Sequence, residues 1–175
     1  MKYKFLVIGL LGLVILMSPV LASQKEFAKG NKFITPQLGI NSWTIPFGVN
    51  FEYAITENIG VGGTGMFWTW SNEWVKDTLI LLSADVAYHF TKIKAEKFDL
   101  FAGGYAGFAI YSYSWKDAEN EDLGDVGSSG ILLGPFVGAR YYFNPKIAVS
   151  FRLDGSLVGH WSSFGGTIGV TFKLN

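Results

Sequence analysis

The sequence predicts an all-β chain, an eight-stranded antiparallel up-and-down transmembrane β-barrel. Three observations carry that expectation. Apolar residues recur at every second position through most of the chain, and a period of two places side chains alternately on the two faces of a strand. Aromatic residues make up 17% of the chain and charged residues only 16%, where a soluble domain carries roughly a quarter charged. Beyond the N-terminal segment, no uninterrupted apolar run approaches the roughly 20 residues of a membrane-spanning helix. A chain with apolar faces but no helical span can cross lipid only as a closed barrel, because every backbone polar group there must be paired internally.

The N-terminus supplies the export signal. Lys2 and Lys4 form a short basic region, and Phe5 to Met17 is apolar and uncharged. Ser18-Pro19 breaks the run, and Val20-Leu21-Ala22 places suitable residues at −3 and −1. Residues 1–22 therefore read as a secretory signal peptide cleaved after Ala22. Residues 23–31 are polar and are expected to be a loose periplasmic lead-in, with 32–175 the outer-membrane barrel domain. The absence of cysteine excludes a lipoprotein box and a disulfide framework. A formal net charge of zero, with no basic field, argues against a nucleic-acid partner.

Eight strands follow in order. The first, Phe33 to Asn41, sets Ile34, Leu38 and Ile40 against Thr35, Gln37 and Asn41. Pro36 lacks an N–H to donate, which suits a position near a strand end. The second, Pro46 to Ile55, alternates Phe47, Val49, Phe51 and Tyr53 with Gly48, Asn50, Glu52 and Ala54. The third, Ile59 to Trp70, is glycine-rich. The fourth, Leu79 to Phe90, sets Leu82, Val86 and Tyr88 against Ser83, Asp85 and His89. The fifth, Phe98 to Tyr113, has aromatic and glycine residues on both faces, and Leu100, Ala102, Ala106, Phe108 and Ile110 are expected outward. The sixth and seventh form the hairpin Gly130 to Gly155 about Asn144-Pro145, a turn signal. The eighth is Phe164 to Leu174.

Parity constrains the turns, because directly opposed residues of an antiparallel pair share a face. Opposing Phe143 to Ile147 makes a three-residue turn, Asn144 to Lys146, and brings Tyr141 to Val149 and Ala139 to Phe151. The same arithmetic opposes Ile55 to Ile59. A slip of one residue would exchange the whole apolar set. Longer connections are expected over Ser71 to Thr78 and Ser114 to Ser129, at the extracellular end where such barrels carry their longer loops. All six tryptophans, Trp43, Trp68, Trp70, Trp74, Trp115 and Trp161, fall toward that end. Tyr53, Tyr88, Phe90, Phe98, Tyr141, Phe143 and Phe172 fall toward the other, so the chain carries two aromatic belts.

A soluble ligand-binding barrel would turn its apolar face inward and expose a charged face to water. The polar face here is too sparse for that. An Arg or Lys facing mid-bilayer lipid costs roughly 2–4 kcal/mol, so the isolated strand charges belong in the lumen. Buried charges must pair, and Glu52, Asp85, Arg140, Arg152 and Asp154 are expected to form a charge network there.

Three motifs suggest chemistry and are outweighed. Gly60, Gly62 and Gly65 match a G-x-G-x-x-G spacing, but a strand follows where a dinucleotide loop needs a helix. Asp117 to Asp125 holds five acids, yet Asp122 stands where a calcium loop needs its turn glycine. His160 and Ser162 resemble the His-x-Ser pair of some outer-membrane lipid A deacylases, but no acid follows to orient the histidine. No catalytic residue, cofactor site or metal site is assigned.

The chain resembles the small eight-stranded outer-membrane barrels of the OmpA/OmpX type. The likeness rests on Phe51 to Gly60 (FEYAITENIG), Gly134 to Phe143 (GPFVGARYYF) and the closing strand Ile168 to Leu174. It implies a porin-like cell-envelope protein with outer-membrane lipid and the outer-membrane assembly machinery as partners. Members of such families serve in adhesion, envelope stabilisation and lipid modification, and fold does not decide among these; the role expected of this chain is structural, surface-loop display or adhesion, not enzymatic. A narrow conduit for small solutes is the alternative, and a lipid-modifying barrel a more distant one.

Overall fold

In the computed structural model, which describes residues 27–40, 45–91, 97–115, 126–157 and 164–174, the alternating runs form eight strands. They are β1 (Lys32–Ile40), β2 (Phe47–Ala54), β3 (Ile59–Ser71), β4 (Val75–His89), β5 (Phe98–Trp115), β6 (Val126–Asn144), β7 (Ile147–Gly155) and β8 (Phe164–Leu174). Each pairs antiparallel with the next, and β1 pairs with β8, so the sheet closes in chain order. Closure removes the unpaired edges that an open sheet would present. The segment expected to be the signal peptide, 1–22, lies outside the described residues.

The faces follow the alternation, and the barrel is apolar outside. Phe47, Val49 and Phe51 on β2, and Ile131, Leu133 and Val137 on β6, are exposed. Thr35, Glu52, Asp85, His89, Asp99, Arg140, Ser150 and Thr171 are buried inside. On β5, Phe108 and Ile110 point outward and Phe101 inward. The glycines that blur this strand in the sequence have a packing role. Phe101 lies directly opposite Gly138, and Phe136 directly opposite Gly103. A Cβ on Gly138 would collide with the Phe101 ring, and one on Gly103 with the Phe136 ring. The two glycines are sockets for two inward phenylalanines.

The G-x-G-x-x-G spacing has a similar origin. Gly62 opposes Glu52, and a Cβ on Gly60 would strike the Glu52 carboxylate. Gly65 lies on the other face, beside the outward Leu82. The three glycines therefore never line one cradle, and they sit within β3.

Three connections differ from expectation, and one of them, expected over Ser114 to Ser129, is shortened to 116–125 because β5 runs to Trp115 and β6 begins at Val126. Tyr141 pairs with Val149 and Ala139 with Phe151, but Ile147 opposes Asn144 where Phe143 was expected. A bulge between Tyr142 and Asn144 absorbs the extra residue, so parity is kept with a two-residue turn. Asn144 stabilises it by accepting from the N–H groups of Lys146 and Ile147, both at 2.9 Å. Asn and Pro are favoured at the first two positions of such a turn.

The third difference is Ser71 to Thr78, expected as a long loop. β3 and β4 continue pairing through Thr69 with Thr78, Trp70 with Asp77 and Ser71 with Lys76. Only residues 72–74 connect them. Asn72 Oδ1 accepts from Trp74 N and Val75 N, each at 2.8 Å. At the other end Ile55 N donates to Ile59 O at 2.9 Å, the opposition that parity required.

These extensions make the barrel lopsided. β3 to β6 run 13, 15, 18 and 19 residues, against 9, 8, 9 and 11 for β1, β2, β7 and β8. The wall of β3 to β6 stands taller at the loop end. There Trp70 and Trp74 are exposed; Trp43, Trp161 and the side chain of Trp115 lie outside what is described. Around the other end, where β1 begins and β8 ends, run Tyr53, Tyr88, Phe90, Phe98, Tyr141 and Phe172, all exposed. Neighbours in this girdle touch, with Phe98 and Tyr141 ring centroids 5.0 Å apart and Tyr141 and Phe143 5.2 Å apart.

The socket arrangement predicts an asymmetric response to side chains added at glycine. Gly138→Val should lower stability by about 1–3 kcal/mol, as overpacking does. Gly65→Ala, whose new methyl would meet only Leu82, should stay within about 0.5 kcal/mol. Urea unfolding of the purified barrel, followed by tryptophan fluorescence, measures both.

Candidate functional site

Chemistry-bearing side chains concentrate in the lumen, where they form two layers. The lower layer, toward the start of β1 and the end of β8, is a ring of four. His89 on β4 places Nε2 2.8 Å from Glu52 Oε1 and Nδ1 2.8 Å from Asp99 Oδ1. Arg140 on β6 closes the ring, Nη2 donating to Glu52 Oε2 and Nη1 to Asp99 Oδ2, the latter at 3.4 Å. Carboxylates only accept, so the imidazole satisfies both contacts when each nitrogen carries a proton. Two carboxylates then face two cations, a balance that a buried cluster needs.

Aromatic rings seal this ring. The Arg140 guanidinium lies 5.0 Å from the centroids of both Phe33 and Phe101, within the range of cation–π attraction. Below, Phe27 stacks on His89 at 3.6 Å and on Phe33 at 5.7 Å. Phe27 belongs to the segment expected to be a loose lead-in, and the structure corrects that for 27–31. Phe27 is 2% exposed. Gly30 N donates to Ala54 O and Ala54 N to Asn31 O, which ties the lead-in to the end of β2. Gly30 has φ +89°, a conformation open to glycine at little cost. The segment is a stopper at this end of the lumen.

The upper layer centres on Asp85. Its Oδ2 accepts from Thr64 Oγ1 at 2.5 Å, Asn50 Nδ2 at 3.1 Å and Arg152 Nη1 at 3.2 Å, and its Oδ1 accepts from Ser83 Oγ at 2.9 Å. Arg152 lies 3.8 Å above the Phe136 centroid, with Nε 3.9 Å from Asp154 Oδ1. Between the layers, beside Phe101 and Phe136, remains a gap of about 20 Å³, room for about one water.

The five residues expected as one network thus fall into two groups, Glu52 with Arg140 and Asp85 with Arg152 and Asp154. His89 and Asp99 complete the first group and were not foreseen as members. Asp99 directly opposes Arg140 across β5 and β6, so the register of that hairpin would have revealed it. The ten residues between the two strands leave the register open in sequence. Phe27 offered no signal, since no period extends into its segment. His160, Ser162 and the acidic stretch 117–125 lie outside the described residues.

Neither a protein-family model nor a curated protein matches the sequence. Solved structures do match in shape. The N-terminal β-barrel domain of Pseudomonas aeruginosa OprF aligns with a TM-score of 0.58 at 17% identity, over 83% of this chain and 98% of that one. Ail, the attachment invasion locus protein of Yersinia pestis, aligns at 0.55 and 14%, over 83% and 99%. The outer membrane protein OprG of Pseudomonas aeruginosa aligns at 0.61 and 10%, over 87% and 100%. The fold is that of the small eight-stranded outer-membrane barrels. At such identities the likeness concerns backbone architecture.

Arg140 and Glu52 side chains are 4% and 7% exposed, so removing one partner strands a buried charge. Arg140→Met should destabilise the barrel by about 3–5 kcal/mol. Adding Glu52→Gln should recover part of that loss, a non-additivity expected of contacting residues. Denaturant unfolding of the single and double variants in one detergent tests the pair.

Proposed function

We propose that this protein is an integral outer-membrane protein, exported with a cleaved signal peptide, whose plugged barrel is a scaffold for the segments at its loop end. Its role is structural or adhesion-type display and involves no catalysis. The observation that carries this reading is the inverted surface, with apolar side chains and an aromatic girdle outside and paired charges inside. Lipid accounts for such an exterior, since a monomer in water rarely exposes an apolar patch beyond a few hundred Å². The tall wall of β3 to β6 supports display, because β5 and β6, the strands that 116–125 joins, extend beyond the shorter strands at the loop end. That Ail, a neighbour in shape, is an attachment invasion locus protein agrees with an adhesion-type role.

Two partners follow from this reading. Outer-membrane lipid would cover the outward face. The assembly machinery would read the closing strand β8, with Phe172 and Leu174 on its outer face. The alternative, a narrow conduit, has the lumen against it. Below the loop end the described side chains block it with two charged layers, the inward Phe33, Phe101 and Phe136, and a stopper at Phe27.

The expected outcome is a β-rich, heat-modifiable protein that sediments with outer membranes. In intact cells, added protease should cut within 116–125 and leave the strands protected. Planar-bilayer recording should show no steady conductance. Recovery of the mature chain as a soluble periplasmic monomer would overturn the reading.

A further inference from the structure

Above the Asp85 layer, at the loop end, the lumen widens into a cup. One side of its wall is apolar, formed by Met66 of β3, Leu79 and Leu81 of β4, Ala109 of β5 and Leu132 of β6, while polar side chains, Gln37, Tyr105 and Thr167 among them, line the rest. The cavity measures about 140 Å³, close to the ~150 Å³ apolar cavity that accommodates benzene in an engineered protein core. Its floor is charged, and Arg152 and Asp154 both line it.

The floor is not evenly balanced. Asp85 and Asp154 share one guanidinium, that of Arg152, and no other Lys or Arg lines the cup among the described residues. Arg152 commits Nη1 to Asp85 at 3.2 Å and its flat face to Phe136 at 3.8 Å. Asp154 is left with Nε at 3.9 Å, beyond hydrogen-bond reach. The Asp154 side chain is 23% exposed and borders the cavity. A carboxylate drawn out of water with so little compensation gains from a cation brought to its open side. An apolar wall a few ångströms away gains from the same ligand if that cation carries a short apolar body.

We propose that the cup binds a small amphipathic cation. The ligand is a primary ammonium on an aryl or alkyl body of about six to eight carbons, the size that a benzene-holding cavity admits. Its ammonium sits on Asp154 and its apolar body lies against Met66, Leu79, Leu81, Ala109 and Leu132. An anion of the same size is rejected, because the Asp154 carboxylate faces it and the one guanidinium is already engaged with Asp85. A neutral alcohol keeps the apolar contact and loses the charge. The site depends on lumen geometry alone and stands apart from any role of the loops at the cell surface.

The test uses the mature chain in lipid nanodiscs, where no detergent tail competes for the cup, with Leu and Met methyls labelled for NMR. The probes are 2-phenylethylammonium, 2-phenylethanol and 3-phenylpropanoate at neutral pH. The ammonium should shift the methyls of Met66, Leu79, Leu81 and Leu132 saturably, with the alcohol at least tenfold weaker and the carboxylate without effect. Asp154→Asn should weaken the ammonium at least tenfold, to the level of the alcohol, and leave the alcohol unchanged. Ala109→Phe should fill the cup and abolish both. Equal affinity for ammonium and alcohol, preference for the carboxylate, an unchanged ammonium affinity in Asp154→Asn, or shifts confined to methyls outside the cup would each overturn the proposal. Comparing the three probes on the unaltered protein decides it even if a variant fails to fold.

Discussion

An eight-stranded barrel encloses a lumen just wide enough for side chains, and here the face turned into it carries charge. The contact of Arg140 with Glu52 meets that constraint. It runs from β6 to β2, strands on opposite sides of the closed sheet. His89 and Asp99 complete the circuit from β4 and β5. Four strands are thus tied through one buried cluster. The charges could not be moved outward, because the outer face is apolar around the whole barrel. The interior must therefore neutralise itself.

Much of the remaining lumen serves that cluster. Gly60 leaves room for the Glu52 carboxylate, and Gly138 receives the Phe101 ring that flanks the Arg140 guanidinium. Phe27 covers His89 from below. The second layer repeats the device with Arg152 over Phe136. A guanidinium resting on an aromatic face holds its charge without water, which suits a lumen that leaves about 20 Å³ between the layers. The same filling sets the cup at the loop end apart from the opposite side.

The legibility of the sequence varied with the range of the interaction. Alternation alone placed eight strands and their faces, including the assignment of Phe108 and Ile110 to the outside of β5. Parity foresaw Tyr141 with Val149. It could not foresee the bulge near Asn144, because two residues of turn plus a bulge preserve the same faces as three residues of turn. The extra rungs between β3 and β4 were also hidden. Trp70, Ser71, Lys76 and Asp77 show little apolar alternation, and their pairing is held by backbone ladders and by the Asn72 side chain.

By itself the sequence determined the class of fold, the direction in which each strand turns its apolar side, and the presence of charges that had to lie inside. Those are properties of a two-residue period, and a period is local. Tertiary structure decided which charge meets which. Glu52 and Arg140 are 88 residues apart, and they meet only because closure sets β2 across from β6. It also divided one anticipated network into two layers, added His89 and Asp99, and drew Phe27 into the lumen. Partner choice inside a barrel depends on the stagger of all eight strands together, and no short stretch of chain carries that information.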